Sequence, residues 1–107
     1  MSELSNRRCV PCRSDTPPLE TERLRDLSAQ VPEWEVVDEH HLRREFRFRN
    51  FREALAFVNR VGELAEDQGH HPVISLGWGH AAIEIFTHAI DGLSENDFIL
   101  AAGIDAF

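Results

Sequence analysis

The sequence contains no lysine, and its permanently cationic side chains stop halfway along the chain. All eleven basic residues are arginines, the last being Arg60, and nineteen acidic residues bring the formal net charge to −8. Proteins that hold a nucleic-acid backbone rely on cationic side chains, so this balance argues against nucleic acid as a partner. From residue 61 onward only histidines can become cationic. Because a phosphate-rich substrate normally meets arginine or lysine, the second half favours an uncharged ligand.

Long apolar runs are also missing. No stretch approaches the ~18 apolar residues that a membrane-spanning helix needs, and residues 1–13 lack the apolar centre of a secretory signal. We therefore expect a cytoplasmic protein with no membrane partner. A chain of 107 residues without repeats or low-complexity segments is expected to form one domain. Its small core favours self-association, as a homodimer or homotetramer, for added stability.

Cysteine is scarce, and the two residues present, Cys9 and Cys12, form a CxxC pair near the N-terminus. A structural zinc site takes four ligands, and a lone CxxC pair supplies two. We interpret these residues as reduced thiols in a flexible tail, residues 1–16, ahead of a domain at 17–107. A bridge between them, or zinc shared with a histidine or a second subunit, is the alternative.

Hydrophobic periodicity and turn residues predict the order helix, two strands, helix, two strands, helix. Hairpins joined in this way favour an antiparallel four-stranded sheet with helices packed on one face, an α+β fold. The last strand carries apolar residues on both faces, which is typical of a strand buried on both sides or at a subunit seam. The predicted elements are a helix at 19–29, strands at 34–37 and 42–48, a helix at 51–68, strands at 73–78 and 81–88, and a helix after Ser94.

The predicted helix ends have specific sequence signals. Asn50 with Glu53, and Ser94 with Asp97, have the spacing of capping boxes at the starts of the second and third helices. Gly69 is expected to end the second helix in a left-handed conformation.

Histidines are the candidate acid–base groups of the second half. Glu66 and His70 are four residues apart across a helix end, a spacing that brings side chains together. The carboxylate and the negative end of the helix dipole both favour an imidazolium, which a general acid near neutral pH requires. The alternative is that His70 is only a cation at the helix C-terminus.

The other two histidines have structural alternatives as well. His71 precedes Pro72 and is pushed towards an extended backbone, so it converges with His70 only if the turn is kinked. His88 is predicted at the end of the last strand, where a half-buried, hydrogen-bonded histidine is the alternative.

These residues together resemble the signature of the pterin-4a-carbinolamine dehydratase family. In that pattern an acidic residue stands four positions before a histidine pair followed by proline, and an aromatic residue, a histidine and an aspartate follow. The similarity extends over most of the chain. The matching elements here are the run Glu66-Asp67-Gln68-Gly69-His70-His71-Pro72, then Trp78, His88 and Asp97.

The resemblance implies dehydration of 4a-hydroxytetrahydrobiopterin, or a related 4a-hydroxytetrahydropterin, to the quinonoid dihydropterin and water. This reaction belongs to pterin cofactor recycling after aromatic amino-acid hydroxylation. Family members need no metal or organic cofactor and form dimers or dimers of dimers. The alternative is a non-catalytic pterin-binding protein or dimerisation cofactor on the same fold, because animal relatives also bind a homeodomain transcription factor.

The resemblance also places His70, His71 and His88 in the pterin pocket. We expect His70 and His88 to donate protons and His71 to bind or orient the pterin. Glu66 would orient an imidazole, and Trp34 is either a pocket wall or a core residue. We assign Trp78 to sheet packing and Asp97 to helix capping, outside the catalytic set. A metal hydrolase that uses Glu66 and the three histidines as zinc ligands is the rival interpretation.

Overall fold

Four antiparallel strands form one sheet, and three helices pack on one of its faces. The computed structural model describes residues 4, 7–9, 17 and 19–107. The element order confirms the prediction. The elements are α1 (Thr21–Ser28), β1 (Glu35–Val37), β2 (His41–Arg47), α2 (Phe51–Gln68), β3 (Val73–Gly77), β4 (His80–Ile85) and α3 (Glu95–Asp105), with a 3-10 turn at His88–Ile90 before α3.

The strand order is β1-β2-β4-β3, so the last strand lies inside the sheet and β3 forms one edge. Leu42 pairs with Ile85 and Arg44 with Ile83, which places these four side chains on the same face. Leu42, Ile83 and Ile85 are fully buried in a core that also contains Phe98 of α3. The apolar residues of β4 therefore belong to a strand that is paired on both sides.

The opposite face of the sheet carries Arg43 and Arg47, as strand alternation predicts, whereas Arg44 lies on the core face and donates to Asp105 at 2.6 Å. Glu45 accepts hydrogen bonds from His80 at 2.7 Å and from Arg43 at 3.0 Å. These two bonds, the one from His80 first, lower the pKa of the Glu45 carboxyl. Polar groups of neighbouring strands thus satisfy one another on this face.

Strand β4 is shorter than predicted, which changes the setting of His88. The strand was expected to run to residue 88 but ends at Ile85. Pairing with both neighbouring strands also stops there. The last pair with β2 is Leu42 and Ile85, and the last pair with β3 is Val73 and Glu84. Beyond that point the chain forms a loop that is closed at its base by an isolated bridge between Thr87 and Gly92. His88 starts the 3-10 turn in this loop and is not a strand residue.

The helix ends follow the sequence signals with one difference. Asn50 Oδ1 accepts the Glu53 N–H at 2.8 Å, and Gly69 ends α2 with φ +65°. The Glu53 carboxylate, however, accepts the Arg49 N–H at 3.2 Å, one residue before the cap. The Arg49 guanidinium bonds the same carboxylate and lowers the pKa of Glu53. This ion pair draws the side chain past the position that a capping box requires.

The described N-terminal residues pack against the body of the domain. Leu4 is buried in the core. The Cys9 N–H donates to Gln68 Oε1 at 2.8 Å, and Arg8 donates to the Asp67 carbonyl at 3.0 Å. The described residues of the segment predicted as a flexible tail are thus anchored at the end of α2. Cys12 lies outside the described residues. In the described part of the chain, none of the helices combines the length and the apolar character needed to span a bilayer.

The left-handed Gly69 gives a test of how α2 ends. A Cβ at Gly69 or at Gly62 would meet no atom within 4 Å, so the two sites differ in backbone conformation and not in space. We expect Gly69→Ala to lower the free energy of unfolding by about 1 kcal/mol. Gly62→Ala, inside the same helix, should raise it by about 0.5–1 kcal/mol. Urea denaturation measures both, and equal effects of the two substitutions would contradict this account.

Candidate active site

His70 is held by a buried carboxylate of α3. Its Nε2 lies 2.6 Å from Asp97 Oδ1, and its side chain is 11% exposed, whereas that of Asp97 is fully buried. A carboxylate can only accept, so the imidazole must donate its Nε2–H. The pair therefore fixes both the orientation and the tautomer of His70 and leaves Nδ1 for another group.

The other oxygen of Asp97 organises the start of α3. Oδ2 accepts the Ser94 N–H at 2.8 Å and the Thr87 hydroxyl at 2.9 Å. The first bond is the one that the capping-box prediction required. A buried carboxylate is costly unless it is hydrogen-bonded, and these partners together with His70 provide those bonds. Asp97 is thus both a helix cap and the group that orients His70.

The sequence had paired Glu66 with His70, but the structure pairs Glu66 with the next histidine. His71 Nε2 lies 2.6 Å from Glu66 Oε1, and both side chains are largely exposed. The left-handed Gly69 turns the chain sharply after the helix, which displaces His70 from the i,i+4 position that a continuing helix would give it. The two neighbouring imidazoles are therefore bonded to carboxylates from different helices.

Topology brings His88 to the same end of the sheet. Strand β3 begins at Val73 and β4 ends at Ile85, and these strands are antiparallel, so the residues just before β3 and just after β4 lie at one edge. Asp97 ties this arrangement together, because it bonds His70 through Oδ1 and Thr87 through Oδ2. His88 follows Thr87 directly, is exposed, and has its ring centroid 4.2 Å from that of Phe86.

The two tryptophans lie elsewhere. Trp34 is 3% exposed and donates its Nε1–H to Asp105 Oδ1 at 2.9 Å. Asp105 is eight residues beyond Asp97, about 12 Å along α3. Of the two alternatives for Trp34, these contacts support the core role. Trp78 was assigned to sheet packing, and that prediction is wrong, because the residue lies in the turn between β3 and β4 and is 73% exposed.

A groove of about 660 Å³ runs beside α2 and reaches one of the predicted site residues. Its size is within the range of small-molecule sites. Glu66 is one of its lining residues, but none of the three histidines is, so its acid–base groups are carboxylates alone. We place the candidate site at the histidines. Within the described residues, no three His, Cys, Asp or Glu side chains are grouped so as to hold a metal ion.

Comparison with known proteins agrees with this architecture. A family described as pterin 4 alpha carbinolamine dehydratase matches residues 17–107. A Rubrobacter xylanophilus protein that provisionally bears the name pterin-4-alpha-carbinolamine dehydratase is 67% identical over 105 residues, 98% of each chain. A similarly named protein of Alkaliphilus metalliredigens is 49% identical over 106 residues, 98% of this chain and 96% of its own.

Solved structures show the same fold. The crystal structure of a transcriptional coactivator/pterin dehydratase from Brucella melitensis has a TM-score of 0.78 at 24% identity, and covers 84% of this chain and 97% of its own. A pterin dehydratase-like protein identified as a RuBisCO assembly factor in the alpha-carboxysome has a TM-score of 0.57 at 26% identity, and covers 68% of this chain and 83% of its own. The architecture is an α+β fold with a histidine-lined sheet end. The chain belongs to the pterin-4a-carbinolamine dehydratase family.

The Asp97–His70 bond can be tested without any assay of activity. In Asp97→Asn, an amide that can donate or accept replaces an acceptor, so the Nε2–H tautomer of His70 should no longer be favoured. Loss of the charge-assisted bonds should also cost about 2 kcal/mol of stability. Long-range ¹H–¹⁵N NMR of the imidazoles measures the tautomer.

Asp105→Asn is the matched control, because it makes the same change at the other end of α3. It should leave the His70 nitrogen shifts as they are. An unchanged His70 spectrum in Asp97→Asn, or the same change in both variants, would refute the assignment.

Proposed function

We propose that this protein dehydrates a 4a-hydroxytetrahydropterin, such as 4a-hydroxytetrahydrobiopterin, to the quinonoid dihydropterin and water. The observation that carries the proposal is the Asp97 carboxylate, which joins the His70 imidazole to the loop that bears His88. Membership of the family supports the reaction class, and the acid–base residues at one end of the sheet support the mechanism.

The reaction needs two proton transfers and no change of oxidation state. The C4a–O bond breaks, and its oxygen must be protonated to leave as water. The C4a–N5 double bond forms as N5 loses its proton. The imidazole that donates the first proton can then accept the second, directly or through water, so the enzyme returns to its starting state. Imidazole performs both transfers near neutral pH, and no cofactor is needed for them.

His70 is suited to be one proton donor. Asp97 holds its Nε2–H, so the Nδ1 atom would face the substrate. To protonate the leaving hydroxyl, His70 would carry hydrogen on both nitrogens, with Nε2–H donated to Asp97 and Nδ1–H to the substrate oxygen. Asp97 acts through His70 and is a positioning residue in this mechanism.

His88 and His71 take the other roles. His88 is exposed beside Phe86 and would protonate the carbinol from a second side, which would allow either stereoisomer to react. His71, paired with Glu66, would bind or orient the pterin ring. Its charge-assisted contact is at the surface, so it would adjust to the ligand more readily than the buried His70 does.

The proposal can be tested by stopped-flow dehydration of a freshly generated 4a-hydroxypterin. His70→Ala and His88→Ala should each lower kcat by about 10²–10⁴-fold, the usual contribution of a positioned acid or base. His71→Ala should mainly raise KM. His80→Ala is the control, since His80 is also paired with a carboxylate, Glu45, but lies on the outer face of the sheet.

If the parent protein and all variants match the uncatalysed rate, the enzyme assignment fails although the fold stands. The chain would then be a non-catalytic member of its family. The RuBisCO assembly factor among the solved structures shows that a pterin dehydratase-like fold can have a different task.

We also propose that the protein self-associates. Val73 and Leu76 on the edge strand β3 are 47% and 37% exposed, and Phe51 and Leu55 on α2 are 43% and 40% exposed. Sedimentation should show a dimer or tetramer at micromolar concentration. One double variant, Val73→Lys with Leu76→Lys, alters the edge strand, and a second, Phe51→Lys with Leu55→Lys, alters α2. The variant that dissociates into monomers identifies the surface that is used. A parent protein that sediments only as a monomer contradicts the proposal.

A further inference from the structure

A histidine outside the proposed site, His40, contacts the loop that carries His88. His40, in the turn between β1 and β2, has its Nε2 2.7 Å from Asp91 Oδ1. The same imidazole lies against Phe86, with ring centroids 4.8 Å apart, and Phe86 in turn lies 4.2 Å from the ring of His88. Three rings from two separate turns thus form a continuous contact that ends at a proposed proton donor.

The contact with Phe86 is the means that the structure offers to orient the imidazole of His88. Among the described residues, no hydrogen bond or ion pair holds its imidazole, and the ring contact with Phe86 is the interaction it makes. By comparison, His70 is fixed by a buried carboxylate. The base of the loop is fixed by the Thr87–Gly92 bridge, which leaves the side-chain direction of His88 to its neighbours.

His40 is itself held from several sides. Its Nδ1 lies 3.2 Å from His41 Nδ1, and His41 Nε2 lies 3.9 Å from Glu84 Oε1 on β4. Asp91 accepts from the opposite nitrogen of the same ring, in a residue whose φ of +47° is uncommon outside glycine. The His40 ring is therefore oriented at both nitrogens and presents a defined surface to Phe86.

We propose that His40 is a positioning residue for His88, acting through the Phe86 ring and through Asp91. The catalytic role of His40 rests on the proposed function. Its effect on the orientation of the His88 imidazole does not. His40 fixes the Phe86 ring and the far side of the loop, so the His88 imidazole keeps one direction towards the substrate.

Substitution of His40 should cost little stability. Asp91 is 87% exposed and His40 34% exposed, and an ion pair in that setting adds about 0–1 kcal/mol to stability. The variants should therefore stay folded while the loop loses its constraint. His40→Phe keeps an aromatic ring against Phe86 without the bond to Asp91, and His40→Ala removes both.

The first experiment needs no substrate. In the parent, the ring current of Phe86 should displace the Cε1–H resonance of His88 from its random-coil position in ¹H–¹³C spectra. His40→Ala should bring this resonance towards the random-coil value, whereas His40→Phe should preserve much of the displacement. His80→Ala should leave it unchanged. An unaltered His88 resonance in His40→Ala overturns the proposal, even if the protein proves to have no dehydratase activity.

The second experiment is a double-mutant cycle on the dehydration rate. His40→Ala should lower kcat by about 10- to 10²-fold, with KM little changed, because a misplaced group costs catalysis more than binding. Added to His88→Ala, it should cost nothing further, since the group it positions is already gone. A full additional loss in the double variant would show that His40 acts independently of His88. If the parent protein shows no turnover, the proposed dehydratase activity is wrong. The NMR test of how His40 orients His88 would be unaffected.

Discussion

The Asp97 carboxylate is the interaction on which the site depends. One oxygen caps α3 and binds the Thr87 hydroxyl, and the other binds His70. A fully buried charge requires several hydrogen bonds, and here those bonds come from a helix start, from the segment after β4 and from the segment after α2. The stability of the α3 N-terminus and the geometry of the candidate site therefore have one physical cause.

The two histidine-bearing segments differ in how they are held. His70 is nearly buried and bonded to the carboxylate that caps α3, whereas the exposed imidazole of His88 contacts, among the described residues, the ring of Phe86. The His40 ring lies 4.8 Å from that of Phe86, which extends the contact of His88 to the turn between β1 and β2.

The sheet separates the roles of its two faces. Its inner face packs against the helices and forms the core, and its outer face carries the mutually paired Arg43, Glu45 and His80. Neither face provides the candidate site, which lies at the end of the sheet where strands give way to helix termini and a loop. At this end the chain leaves the strand pairing, so side chains such as His88 are exposed.

Local sequence rules determined the order of the elements, the Asn50 and Ser94 caps and the left-handed Gly69, because each depends on residues within a few positions of one another. The histidine motif likewise indicated the candidate site residues, whose catalytic roles stay a prediction. What only the tertiary structure decided are the partners: Asp97 with His70, Glu66 with His71, and His40 with the loop of His88. These pairs follow from strand register and from the direction in which α2 ends, and so from packing between segments far apart in sequence, which no local pattern encodes.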